Sequence, residues 1–518
     1  MGGLDRGTLL ALGAMALAVF VIANDITALS VALPEIENDF DSDVSTVQWV
    51  INAYALIFGV LIVTGGRLAD MFGRRRLFFI GAAIFAAFSL LAGVAQDAWW
   101  LIVCRGLMGI GGAIMWPAVL GMTYDALPED KAGLAGGLII GVAGFGNAAG
   151  PLLGGFLTDA LSWRWVLFLN LPIAAIACFA TWRAIPEGKP AGRERIDYPG
   201  IATLSLGLIA LLIALDQVTE WGWGDPRIIG LFVLCALLLV GFAVVERRAG
   251  SWALIPRDVM ANPGFRSACI TTLMMSPVFF AALLFLPQFF QKILGDNPLE
   301  AGARLLPMMA VFAVTSFLAG GLYNRLGAKL IVSAGTVCLT LGAFLISLID
   351  PDSGYGAVVP GMVVLGIGVG LFYSSITTAA VTALDPSRSS LAGGLVYMFQ
   401  IAGGSVGLGL TTTVFVTASE DSLQKNLAGG RLDNSEVDTL HGALAGTESS
   451  TEILARFSRG VADRLLELIR EAFAAGMQWA FRLVAALALV GVIISVLFVG
   501  GSLLHPRESA AEPAQPPS

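Results

Sequence analysis

Charge is scarce in this chain of 518 residues: Asp, Glu, Lys and Arg together make up 13%, against 56% hydrophobic residues and a mean hydropathy of +0.80. An ordinary soluble protein carries about 25% charged residues, so that class is excluded. Histidine is nearly missing, and its two copies, His441 and His505, fall outside the apolar runs. A buried histidine relay is therefore excluded. The five cysteines (Cys104, Cys178, Cys235, Cys269 and Cys338) all lie in apolar runs without C-x-x-C or metal-ligand spacing, which argues against a disulfide framework or a metal site. No nucleophile arrangement, catalytic triad or phosphate-binding loop is present; GIGVG at Gly366–Gly370 sits inside an apolar helical run. Neither an enzyme nor a bound cofactor is expected. The net charge of −8 comes mainly from acids between apolar runs, and no nucleic-acid partner is inferred from it.

What the chain does have is long apolar runs. A spanning helix needs about 20 apolar residues, and counting on that basis gives about fourteen spans, the first near residues 8–33 and the last near 478–504. An all-α membrane protein follows. Arginine and lysine favour cytoplasmic loops, and Arg74, Arg75 and Arg76, then Lys189, Arg193 and Arg195, then Arg247, Arg248 and Arg257 fall on one side if both termini are cytoplasmic. The halves also echo one another. LAGGL at Leu134–Leu138 recurs at Leu391–Leu395, which puts Gly146 and Gly150 in register with Gly403 and Gly407. Gly66, Asp70, Gly73 and Arg75 likewise align with Gly320, Asn324, Gly327 and Lys329.

The repeat divides the chain into a six-helix bundle at 1–183, a linker with two additional spans at 184–265, and a second six-helix bundle at 266–504. A tail at 505–518, rich in Ala, Pro and Glu, reads as disordered and cytoplasmic. Repeated bundles with a site between them are a transporter architecture. One polar loop is long, 419–477, and in it Leu454, Phe457, Val461, Leu465, Leu468 and Ile469 recur at helical spacing. That pattern reads as an amphipathic helix lying on the outer membrane interface or capping the external opening, or else as a structural packing helix with no role in transport.

Asp25 is the expensive residue. It interrupts the first apolar run, and a carboxylate in hydrocarbon is a functional-site hypothesis by default. Arg105, in LIVCRGLMGIGG, enters the fourth span about one and a half turns from its outer end, a depth similar to that of Asp25, so an ion pair is possible. GRLADMFGRRR, from Gly66 through Asp70, Gly73 and Arg74 to Arg76, places an acid at a helix C-terminus, where the dipole disfavours it and a cation or another helix's N-terminus is needed. Arg74 is one turn away. A plain positive-inside anchor explains Arg75 and Arg76 but not Asp70. In the fifth span Gly137, Gly146, Gly150, Pro151, Gly154 and Gly155 leave one helical face bare, allowing close backbone approach and local bending. The copy in span thirteen keeps the glycines but has Leu408 in place of Pro151, which puts the hinge in the first half.

Together these stretches resemble the major facilitator superfamily, in particular its fourteen-span drug:proton antiporters, over nearly the whole length. NDITALSVALP at Asn24–Pro34 is similar to that family's first-helix motif. The resemblance implies that the Gly66–Arg76 stretch is a cytoplasmic clamp, that Arg105 is the energy-coupling arginine, and that the span-five glycines are the antiporter signature. It implies a proton-driven multidrug exporter of lipophilic neutral or cationic compounds, working by alternating access as a monomer among the lipids of a bacterial plasma membrane. The proton gradient replaces any cofactor. Two other readings stay open: an exporter dedicated to one endogenous lipid or secondary metabolite, and a membrane scaffold that does not transport.

Substrate pockets pair apolar walls with a few polar groups, and aromatic and methionine side chains adapt to lipophilic cations. Candidates of those types are Asn52, Phe58, Met115, Trp116, Met274, Phe372, Tyr373, Met398 and Gln400. No secure second acid stands in the second half, since Glu300 and Asp385 lie at helix ends, so neutral or singly charged compounds are expected rather than dications.

Overall fold

The computed structural model describes residues 5–42, 44–186, 196–427 and 459–500. Among them there are helices and no strands, and fourteen of the helices are long and apolar enough to cross a membrane. They are α1 (Arg6–Val31), α2 (Val44–Phe72), α3 (Arg74–Gly93), α4 (Ala98–Asp125), α5 (Ala132–Ala160), α6 (Arg164–Ala184) and α7 (Tyr198–Trp221). The rest are α8 (Pro226–Ala249), α9 (Pro263–Lys292), α10 (Leu306–Leu326), α11 (Ala328–Ile346), α12 (Tyr355–Thr382), α13 (Ser389–Leu427) and α14 (Arg459–Phe498).

Sequence sets the helix ends. Asp5, Asp97, Asp197, Asp225 and Asn262 each stand at an N-cap, where the side-chain oxygen accepts an otherwise unpaired backbone N–H. The turns α2–α3 and α10–α11 are single glycines, Gly73 and Gly327, at φ of 100° and 85°. Only glycine adopts that conformation without strain, and the two positions are repeat mates.

Helices α1–α6 pack as one group: α4 against α2 and α3, α5 against α1, and α6 against α1 and α3. Helices α9–α14 repeat those pairings in the same order. Close approaches repeat too. A Cβ on Gly109 would lie 2.7 Å from the Tyr54 carbonyl oxygen, and one on Gly366 would lie 2.5 Å from that of Met308. The two groups meet where α5 packs on α10 and α12, and where α13 packs on α2 and α4. The added pair stands outside: α7 packs on α2 and α13, and α8 on α7.

Both flanks of the 419–477 stretch are helical. Helix α13 continues to Leu427 and α14 begins at Arg459, so both flanks of the stretch are extensions of spans. Leu465, Ile469 and Phe473 are buried, and the Phe473 ring stands 5.1 Å from that of Phe415. The apolar stripe packs on a neighbouring helix instead of lying on a membrane interface. Leu454, Phe457, Lys189, Arg193, Arg195 and the tail fall outside the described residues.

Candidate functional site

Asp25 and Arg105 meet. Their side chains are fully buried, and Arg105 Nη1 donates to Asp25 Oδ2 in an ion pair between α1 and α4. Asn170 of α6 donates through Nδ2 to Asp25 Oδ1 at 2.7 Å and to Ser89 Oγ at 3.1 Å. Arg105 Nε donates to the Val50 carbonyl of α2 at 3.0 Å, and the guanidinium lies 4.5 Å from the centre of the Tyr54 ring. Five helices thus hold one pair. Removing two charges from water costs several kcal/mol per ion, and only good geometry with further hydrogen bonds offsets it. Tyr54 Oη, Arg105 Nη2 and Asn170 Oδ1 around the pair are buried with no hydrogen-bond partner among the described residues. The pair therefore keeps spare donors and acceptors at hand.

The span-five glycines explain how α1 is held. Cβ atoms on Gly146, Gly150 and Gly154 would come within 3.1 Å, 2.0 Å and 2.1 Å of Ala23, Thr27 and Ala28 respectively, so α5 lies bare against the turns of α1 that carry Asp25. Towards the other end of α5 the same bareness serves the other bundle: a Cβ on Gly137 would lie 2.9 Å from the Ser316 carbonyl oxygen of α10. Gly155 faces Leu299, and the Pro151 ring lies near Gly302.

At the arginine-rich end the bundles are latched twice. Asp70 Oδ2 accepts from the Leu391 N–H at 2.8 Å and Oδ1 from the Ser390 N–H at 3.3 Å, at the first turn of α13. Arg74 braces it, donating to Asp70 at 3.0 Å, to Asp125 of α4 at 2.5 Å and to the Pro386 carbonyl at 2.7 Å. Acid, helix N-terminus and arginine are the combination the dipole requires. Asp385 starts the Pro386 turn, and the Ser387 hydroxyl and N–H hold its carboxylate below the usual range. On the other side Asn324 Oδ1 accepts from the Gly133 N–H at 3.0 Å at the first turn of α5. Bare glycines make both latches possible: a Cβ on Gly66 would lie 2.6 Å from the Ser390 carbonyl oxygen, and one on Gly320 2.4 Å from that of Gly133.

Between these levels the aromatic candidates separate. Phe58 and Trp116 meet the Tyr397 ring of the other bundle at 5.6 Å and 5.0 Å. Met398, buried, and Gln400, half-buried, flank that contact on α13. Tyr373 donates to Ser276 Oγ at 3.3 Å and meets the Phe279 ring edge-on, inside the second bundle. Three candidates point elsewhere. Met115 packs where Gly81 of α3 leaves room, Phe372 lies against Gly335 of α11, and Met274 is beside Gly491 of α14. In helices apolar on all sides, residue type does not reveal which face points inward. Asn52 donates to Asp216 Oδ1 of α7 at 3.1 Å.

A model described as the Major Facilitator Superfamily matches residues 15–408. The chain belongs to the major facilitator superfamily. It is 34% identical over 408 residues to the puromycin resistance protein pur8 of Streptomyces alboniger, covering 78% of this chain and 80% of that one. It is 29% identical over 489 residues to the tetracenomycin C resistance and export protein of Streptomyces glaucescens, covering 93% and 90%. Multidrug resistance protein 3 of Bacillus subtilis matches at 28% over 491 residues, covering 93% of each. Among solved structures, the human organic anion transporter MFSD10 (TETRAN) superposes with a TM-score of 0.62 at 12% identity, over 95% of this chain and all of that one, a likeness of fold. A major facilitator chain is a small-molecule transporter rather than an enzyme.

Within this superfamily member, sequence reasoning missed Asn170, Tyr397 and Asp125. Asn170 sits in SWRWVLFLNLP at Ser162–Pro172, outside every stretch singled out from the sequence above. Its signal was a lone amide in mid-span, a group that must find a partner in hydrocarbon.

Proposed function

We propose that the chain exports lipophilic neutral or cationic small molecules across a bacterial plasma membrane in exchange for protons, by alternating access, as a monomer with both termini cytoplasmic. The observation that carries this reading is the sealed Asp25–Arg105 pair on the helix that the α5 glycines grip. A proton arriving from outside neutralises Asp25 and releases Arg105 to its other partners, Val50 and Tyr54. With that contact gone, α1 can shift along the bare face of α5, and the shift works against the latches on α13 and α10. Proton release to the cytoplasm restores the pair. Linkage makes the coupling reciprocal, so a substrate that favours the deprotonated state loads as the proton leaves.

The relatives' names favour drugs and antibiotics as cargo, and tetracenomycin C export in one of them supports the second reading, a dedicated exporter of a secondary metabolite. Proteoliposomes carrying an imposed pH gradient test the proposal across a compound panel. Uphill substrate movement with matched proton flux is expected in the wild type, with at least a tenfold loss in Asp25→Asn. Retained gradient-driven export in that variant overturns the role given to Asp25.

A further inference from the structure

The added helix α7 carries an acid that the mechanism above leaves unused. Asp216 lies 18 residues beyond Tyr198, near the outer end of α7, and is exposed although Ala214, Leu215 and Val218 beside it are buried. Its Oδ1 accepts from Asn52 at 3.1 Å and its Oδ2 from Gln217 Nε2 at 3.0 Å; Asn52 is two residues from Val50, whose carbonyl accepts from Arg105, so Asp216 stands within about 3 Å, along α2, of the Asp25–Arg105 level.

The direction in which Asn52 points is informative. It is seven residues from Gly59 and fourteen from Gly66, hence on the same helical stripe of α2. Cβ atoms on those glycines would meet Ile401 and Ser390 of α13 at 3.1 Å and 2.6 Å. At Asn52 the stripe meets α7 instead. Helix α7 also touches α13 through Leu215 against Gly409, and in the turn just after α7 Trp223 Nε1 donates to Thr413 Oγ1 at 2.6 Å. It therefore closes the outer gap between α2 and α13, with Asp216 set on the seam between the bundles. An intramembrane carboxylate faces a bundle interior or a water-filled path, not lipid, and this one is exposed at such a seam.

We propose that Asp216, oriented by Asn52, is a cation-recognition group at the outer mouth of the transport path, taking the ammonium or phosphonium centre of a lipophilic monocation. The site rests on the exporter reading, and it supplies from α7 the second acid that the second six-helix bundle does not offer. Asp216→Asn keeps a hydrogen-bonding amide for Asn52 but removes the charge. The test compares tetraphenylphosphonium with neutral triphenylphosphine oxide in proteoliposomes, together with labelling of Asp216→Cys by a charged thiosulfonate above the wild-type background. The expected result is a roughly tenfold shift in the ratio of the two KM values for Asp216→Asn, a loss of about 1.4 kcal/mol for the cation, with prompt labelling of Asp216→Cys from outside. An unchanged ratio, or an Asp216→Cys variant protected from the reagent, overturns the site. If the wild type carries neither probe, the exporter reading falls. Binding of tetraphenylphosphonium to the detergent-solubilised protein, wild type against Asp216→Asn, then still decides the site.

Discussion

The two six-helix bundles make the same contacts with different chemistry. Where the first latch has Asp70 taking two N–H groups and an arginine, the second has Asn324 taking one N–H. Where α1 presents Ala23 and Thr27 to Gly146 and Gly150, α9 presents Leu273 and Pro277 to Gly403 and Gly407. The same offset pairs Asp25 with Met275. The offset relating α4 to α12 pairs Arg105 with Met362, and that relating α2 to α10 pairs Tyr54 with Met308. All three methionines are fully buried. The second bundle thus fills with thioethers the place where the first keeps an ion pair. The shared backbone geometry belongs to the fold, and the buried ion pair with its Tyr54 ring belongs to the first bundle alone.

The most disruptive way to break this comparison is to remove one charge. Asp25→Ala strands a buried guanidinium and is expected to cost about 3–5 kcal/mol, read as a fall in unfolding temperature in detergent. Asp25→Met combined with Arg105→Met copies the second bundle into the first, and should recover most of that stability without recovering pH-driven flux. A double variant as unstable as the single one would mean that the methionine arrangement is not an equivalent packing.

A smaller effect is expected at the glycines that let the bundles close. Gly66→Val and Gly320→Val each push a side chain into backbone, and overpacking of this kind costs about 3 kcal/mol at its upper end. Spin-label distances across the arginine-rich end should lengthen equally in both variants, because the obstruction is backbone on both sides. Lengthening in only one would show that the two closures are not equivalent.

The polar halves of the latches come last, and should differ. Asp70→Asn removes a charge-assisted contact worth about 2 kcal/mol, and Asn324→Ala a neutral one worth about 1 kcal/mol. The open fraction in the same distance measurement should rise more for Asp70→Asn, and high salt should narrow the difference only slightly because Asp70 is buried.

Much of this architecture is legible in the residues, for physical reasons. Hydrocarbon thickness fixes span length, so the count of fourteen could be read directly, and scarce charge made Asp25 and Arg105 conspicuous enough to be matched by depth. LAGGL and the spaced glycines exposed the repeat because close approach tolerates no substitute. Helical phase was hidden: Met115, Phe372 and Met274 are pocket-like residues that lie against neighbouring helices of their own bundles, at Gly81, Gly335 and Gly491. Asp216 was hidden for another reason, since LDQVTEW reads as an ordinary polar helix end until α2 is placed beside it. The α13–α14 extension was ambiguous in principle, because an apolar stripe reads alike whether membrane or helix covers it.

That extension has a mechanical consequence. Helix α13 runs unbroken for 39 residues, about 58 Å, and is braced by α14 along the part remote from the Asp70 latch. In the proposed alternating-access cycle, a stiff rod clamped at one end to a rocking bundle acts as a pointer. A tilt too slight to resolve at the latch sweeps a far larger arc at the tip, so the reporter that times each transport cycle belongs there, far from the chemistry it records.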